Sequence, residues 1–198
     1  MLWFEHDLYD QLQLLDVLSL AHGVDAAPQL VVVDSFPGKP SFRGLGELTA
    51  DELETLWPKR RPASAETLAA AAEAWEAFRA AEPSALEKRA HREEPELPFL
   101  GSALRRLLEE LPAPGDGLSG TERRALAAIA AGHATPRDAF LAAQDEPLPP
   151  APPLGDAQRF IALPLRLTEA GKKVLAGKAN RVELLGIDRW VGGTHVTA

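Results

Sequence analysis

The chain has 198 residues, 45% of them hydrophobic, which is enough to bury one sizeable core or two small ones. Lys and Arg number 21 against 29 Asp and Glu, a net charge of -8, so a uniformly basic nucleic-acid-binding surface is excluded and any basic face is local. There is no cysteine, which excludes disulfides, a thiolate nucleophile and Cys-ligated metal, and leaves His and carboxylates as the side chains for any metal. No apolar run reaches the roughly 18 residues of a spanning helix, and Glu5 and Asp7 stand where a signal peptide is basic and then apolar. The expectation is a cytoplasmic protein with no membrane partner.

In chain order, Leu2-Trp3-Phe4 reads as a short strand that breaks at Glu5-His6-Asp7. Leu8, Leu12, Leu15 and Leu18 then recur at helical spacing, which predicts a helix over 8–21 with Asp7 as N-cap and Gly23 as stop. Leu30-Val31-Val32-Val33 is a β-branched run typical of a strand buried on both faces. Strand, helix and strand make a β-α-β unit with parallel strands. Two strands are too few for a stable sheet, so further strands come from elsewhere, and a homo-oligomer formed through the 30–33 sheet edge is one source.

Residues 49–110 turn helical and acidic. A capping box at Thr49-Ala50-Asp51-Glu52 opens a helix to about Leu56, and Pro58 and Pro62 end it. Ser64 caps a helix over 65–81 with Leu68, Ala72, Trp75 and Phe78 in one stripe. Further helical patterns cover 84–92 and 98–111. Tyr9 and the Trp75/Phe78 pair read as core, and Glu93, Glu94 and Glu96 as a solvated edge. Residues 112–117 form the clearest linker.

Beyond it, Ser119-Gly120-Thr121-Glu122 opens a helix stopped at Gly132, and Thr135-Pro136 opens another to about Gln144. Residues 147–153 hold five prolines in seven positions and predict an extended or irregular stretch. A short third helix over 156–163, a strand at Leu165-Arg166-Leu167 and a helix over 168–175 follow. That order is the order of a winged helix-turn-helix. The predicted fold is therefore α+β and mostly helical: an α/β-to-helical region over 1–111, a winged-helix-like domain over 118–181, and a strand and tail over 182–198 that pack back.

Several motifs resemble, in order, those of an uncharacterised bacterial family catalogued as domain of unknown function 1835. They are the opening Leu2-Trp3-Phe4-Glu5-His6-Asp7-Leu8-Tyr9-Asp10-Gln11-Leu12-Gln13-Leu14-Leu15, Phe42-Arg43-Gly44-Leu45-Gly46-Glu47-Leu48, Ala74-Trp75-x-Ala77-Phe78-Arg79, and Gly186-Ile187-Asp188-Arg189-Trp190-Val191-Gly192-Gly193-Thr194-His195. The resemblance spans most of the chain. Members usually carry an additional N-terminal α/β segment ahead of the Trp-Phe-Glu-His-Asp strand, at which this chain begins. The family brings no established chemistry, cofactor or site.

Two clusters and one charge asymmetry carry the functional expectations. Glu5, His6, Asp7 and Asp10 stand at a strand-to-helix edge, the usual ligand-binding side of an α/β sheet. As a site of a small-molecule enzyme or a ligand or metal sensor, His6 accepts a proton or binds a metal while a carboxylate orients its other nitrogen, with Arg43, Asp188, Arg189 and His195 as further candidates. In the structural reading Asp7 caps the helix, Asp10 favours its positive end and His6 bonds locally. The spacing matches no zinc or calcium signature, and no cofactor is implied.

Residues 186–195 are dense in Gly, Asp, Arg, Trp and His. Either Arg189 clamps an anion and His195 faces His6, or Trp190 fills a hydrophobic socket, Asp188 pairs with Arg189 or a backbone amide, and Gly192-Gly193 makes a tight turn. Residues 42–46 match no phosphate-binding fingerprint, and no serine stands in a Gly-x-Ser-x-Gly elbow.

Residues 1–115 carry a net charge of -9, residues 116–181 carry +2, and residues 182–198 carry -1. This polarity suits an acidic regulatory or scaffold region joined to a module that binds DNA or a protein partner. Gln158 and Arg159 would face base edges, with Arg159, Lys172 and Lys173 on phosphates. A structural oligomerisation unit is the third class of function.

Overall fold

A computed structural model describes residues 1–23, 27–40, 42–144 and 161–198. The chain divides into two compact units, Met1–Leu108 with Trp190–His195, and Glu109–Arg189 with Val196–Ala198. Helices dominate both, so the fold is α+β and mostly helical. Among the described residues no helix is long and apolar enough to cross a membrane.

The first unit is built on β1 (Leu2–Glu5), α1 (Leu8–Ala21) and β2 (Gln29–Val33), with β1 and β2 parallel in a register from Leu2 opposite Leu30 to Glu5 opposite Val33. Asp7 caps α1 by accepting from the Asp10 N–H, and Gly23, at φ +82°, lets the chain turn away after its end. The buried stripe of α1 is Gln11, Leu14, Leu15 and Leu18, turned from the expected line through Leu8 and Leu12. Polar Gln11 takes an inward place because its amide donates to the Glu5 carbonyl at 2.6 Å. Position 9 lies about 200° around the helix from position 11, so Tyr9 faces solvent at 76% exposure and is not core.

The third strand comes from within the chain. β3 (Arg61–Pro62) runs antiparallel to β2, with Leu30 opposite Arg61 and Gln29 opposite Pro62, giving the order β1-β2-β3. β2 is thus the middle strand, although β3 pairs only with Gln29 and Leu30; β1 and β3 are the outer strands. The β1 edge is partly blunted. The Glu5 N–H donates to the Asp10 carboxylate at 2.6 Å while Gln11 donates to the Glu5 carbonyl, so side chains occupy the positions of a further strand.

α2 (Ala50–Leu56) carries the expected capping box, and α3 (Ala65–Arg79) the expected Ser64 cap. Phe42 and Leu56 close one face of the sheet over Val31 and Val33, with Trp3, Phe36, Leu45, Leu48 and Leu53 around them. α4 (Ser84–Ala90) and α5 (Leu100–Leu108) complete the unit, and α1 packs against both α3 and α5. The inward side of α3 is Thr67, Leu68, Ala71 and Ala74, whose small side chains suit its packing on α1. Trp75 and Phe78 are half-buried beside that line and stack with centroids 5.0 Å apart. Glu94 is not on a solvated edge: it is 12% exposed and pairs with the buried Arg89.

β4 (Asp188–Val191) and β5 (Thr194–Thr197) form a hairpin whose tip belongs to the first unit. The Gly193 N–H donates to the Phe78 carbonyl at 2.8 Å and the Thr194 hydroxyl to Ala80 at 3.4 Å. Gly192, at φ +59°, supplies the tight turn. Trp190 fills no socket. It is 65% exposed, because the two-residue period of the strand turns Val191 inward instead.

In the second unit, α6 (Gly120–Ala130) carries the Ser119/Glu122 capping box, and Thr135 caps α7 (Pro136–Ala142). Thr168 caps α8 (Glu169–Leu175) and Asn180 caps α9 (Arg181–Leu185), a helix with no counterpart among the expected elements. Asp116 receives both guanidinium nitrogens of Arg123, which holds its carboxyl below the usual range, and its carbonyl accepts from the Arg181 N–H at 2.6 Å. Residues 165–167 form no strand: among the described residues one backbone bond of 2.6 Å links the Leu165 N–H to the Ala134 carbonyl. Pro136 and Pro164, which lack an N–H, flank the two sides and limit pairing. The Pro-rich stretch 147–153, most of the predicted helix over 156–163, and Gln158 and Arg159 lie outside the described residues.

Candidate functional site

The acidic cluster at the end of β1 is knitted into the fold. The Glu5 carboxylate accepts from the Leu45 N–H at 2.6 Å and lies against Gly44, where a Cβ would overlap it. Asp10 accepts from the Glu5 N–H, and Asp7 accepts from the Asp10 N–H at 3.0 Å. Strand end, helix start and the segment from Gly44 are thereby clasped together. Gly44 of Phe42-Arg43-Gly44 lets the Glu5 carboxylate lie close to the backbone beside its partner Leu45, 40 residues away in sequence. Arg43 donates its Nε to Glu47 at 2.9 Å, and this guanidinium holds the Glu47 carboxyl below its ordinary range.

His6 sits edge-on to Phe99 with centroids 6.0 Å apart, and its Nδ1 is buried without a hydrogen-bond partner among the described residues. His195 has a different ring neighbour, lying parallel to Trp190 at 4.4 Å. Asp188 and Arg189 belong to the second unit, where Arg189 donates to the Glu110 carbonyl. Among the described residues no three His, Asp or Glu side chains are grouped to hold a metal ion.

Burial, and then the charges of Asp10 and Asp7, push the Glu5 carboxyl above its ordinary value despite the Leu45 bond. Its folded-state pKa thus exceeds the unfolded one, so its ionisation opposes folding, and this contribution improves as pH falls through the folded value. Glu5→Gln keeps an acceptor for Leu45 and removes the charge, so it is expected to hold or raise stability at pH 7 and to flatten the pH dependence. Glu5→Ala loses the acceptor and should cost about 1–2 kcal/mol. Urea midpoints of both variants between pH 4 and 7 check this; a Gln variant as unstable as the Ala variant contradicts it.

The basic residues of the second unit are arranged differently. Gly177, at φ +67°, ends α8 in a turn in which the Lys178 N–H reaches back to the Lys173 carbonyl at 2.8 Å and the Gly177 N–H to Val174 at 2.9 Å. This Schellman-type end brings Lys178 to the lysine-bearing last turn of α8. Lys172 is paired at 2.7 Å with Glu169 in its own helix, whereas exposed Arg166, Lys173 and Lys178 meet no carboxylate among the described residues. The sequence marks these cations through local charge; the turn that joins Lys173 to Lys178 is signalled only by Gly177.

No protein-family profile, curated protein or solved structure matches the chain.

Proposed function

We propose that the second unit is a docking module for a polyanion, in the first instance duplex DNA, with Lys173 and Lys178 as phosphate contacts supported by Arg166 and Lys172. The observation that carries this reading is the glycine turn after α8, which joins Lys173 and Lys178 while leaving both exposed and without a carboxylate partner among the described residues. Cations interact favourably with the negative end of a helix, and unpaired ones release counterions when they meet phosphate. The order α6, α7 and then α8, with the Leu165–Ala134 bond beside α7, supports a winged-helix-like arrangement. The acidic first unit would then have a regulatory or scaffolding role. Lysine contacts to phosphate position a module without reading sequence.

Fluorescence anisotropy of a labelled duplex across a salt series tests this. Binding should weaken steeply with salt, and the double variant Lys173→Glu/Lys178→Glu should lose about tenfold or more at low salt and reduce the salt slope by about 2. Both side chains are exposed, so circular dichroism should be unchanged. Equal affinity of variant and parent sinks the proposal.

A further inference from the structure

Asp116-Gly117 is the one Asp-Gly pair in the sequence, and it stands in a turn of the second unit ahead of α6. The pair has a reaction of its own, because the nitrogen of a following residue can reach the aspartate carboxyl carbon, and glycine, with no Cβ, hinders that approach least. The fold requires both residues. Gly117 is at φ +71°, and a Cβ there would overlap the Asn180 Oδ1 and crowd the Val182 nitrogen. Asp116 is only 7% exposed, and both its carboxylate oxygens are taken. Arg123 donates to them through its two Nη atoms, and the Leu118 N–H donates to Oδ1 at 3.1 Å. The Gly117 N–H is itself committed to the Ala113 carbonyl at 2.9 Å.

We propose that Asp116-Gly117 is a latent site of isoaspartate formation, held closed by the Arg123 clamp. In this reaction the Gly117 nitrogen bonds to the Asp116 Cγ, and the carboxyl OH leaves as water with the amide proton, which closes a succinimide ring. Water then opens the ring at the Asp116 backbone carbonyl, so the chain runs on through the former side chain with its mass unchanged. The clamp opposes the first step in two ways. Paired bonds fix the carboxyl plane, and the guanidinium keeps the group ionised, whereas an oxygen that departs as water must carry a proton. The Ala113 bond adds a third restraint by holding the proton on the attacking nitrogen. In the product the backbone gains a methylene, and the carbonyl that accepts from the Arg181 N–H at 2.6 Å becomes part of a free carboxylate. A transient opening of the turn that joins α6 to α9 is thereby made permanent.

The test incubates the full chain at neutral pH below its unfolding temperature and measures isoaspartate at this pair by electron-transfer mass spectrometry, which distinguishes the two isomers. Arg123→Met removes the clamp at a partly exposed position, and Val174→Ala weakens the same unit from its buried side without touching the clamp. The parent unfolded in guanidinium chloride sets the rate of the open chain. The folded parent should isomerise more slowly than the open chain by about tenfold or more, and Arg123→Met, with parental circular dichroism, should recover most of that difference. Val174→Ala should stay near the parental rate. A folded Arg123→Met variant at the parental rate overturns the proposal, and so does a folded parent as fast as the open chain. Equal acceleration by Val174→Ala and Arg123→Met also overturns it, because protection then comes from global stability. If Arg123→Met does not fold, Arg123→Lys, which keeps the charge without the paired bonds, is read in its place against the same outcomes.

Discussion

Glu94→Ala is expected to destabilise the first unit by about 3 kcal/mol, although Glu94 lies in an acidic, polar stretch of sequence. Its partner Arg89 has a side chain only 6% exposed, and the Arg89 Nη1 to Glu94 Oε1 distance is 2.6 Å. Arg89 also donates to the Ala70 carbonyl at 2.6 Å, which ties α4 to α3. Removing Glu94 leaves that guanidinium buried, and among the described residues only the Glu73 carboxylate is then near it, 3.6 Å away and itself mostly in water. Breaking a buried pair from one side typically costs about 3–5 kcal/mol, and the remaining Glu73 contact places this case at the lower end. Glu93→Ala, at an exposed position next door, should stay within about 0.5 kcal/mol. Replacing both members, Arg89→Met with Glu94→Leu, should restore most of the loss, since no charge is then stranded. All four tryptophans of the chain, Trp3, Trp57, Trp75 and Trp190, belong to the first unit, so urea denaturation followed by tryptophan fluorescence reads that unit. Equal midpoints for Glu94→Ala and Glu93→Ala would show that the buried pair carries no weight.

Glu94 also shows where the sequence stops being informative. Helix starts are readable because a cap and its target N–H are only two or three residues apart: Asp7, Thr49, Ser64 and Thr135 all cap as expected, while Thr168, expected inside its helix, is the cap of it. The β1-α1-β2 unit followed from period and caps alone. What failed was partner choice over long separations. Nothing near Arg61 announces that it pairs with Leu30, and nothing near Gly44 announces the Glu5 carboxylate. The helix stripes were misplaced by a residue or so because Gln11 and Thr67, polar by composition, are buried with satisfied hydrogen bonds. The strand expected at 165–167 failed for a related reason: an alternating pattern does not make a strand without a partner able to donate and accept along its length. At the candidate edge the sequence identified the residues, while the geometry assigned Glu5, Asp7 and Asp10 to clasping and capping.

Gly193→Ala is expected to release the hairpin tip from α3 at a cost of about 2–3 kcal/mol. A Cβ at Gly193 would overlap the Arg79 carbonyl, which is backbone at the end of a helix and has no rotamer to yield. The hairpin must then move away, and its bond from the Gly193 N–H to Phe78 and that from Thr194 to Ala80 go with it. Those bonds satisfy carbonyls at the C-terminal end of α3 that have no partner within the helix, so their loss exposes a helix end as well as a turn. Gly46→Ala is the matched control: a Cβ there meets nothing within 4 Å, and the same residue change should leave the urea midpoint within about 0.5 kcal/mol of the parent. Amide exchange separates local release from general weakening, because the Gly193 N–H should lose protection while the α1 amides around Leu14, Leu15 and Leu18 keep theirs. Parental protection at Gly193 in the alanine variant would mean that the tip accommodates the methyl group without leaving α3, and that its seat is looser than the close approach of the two backbones implies.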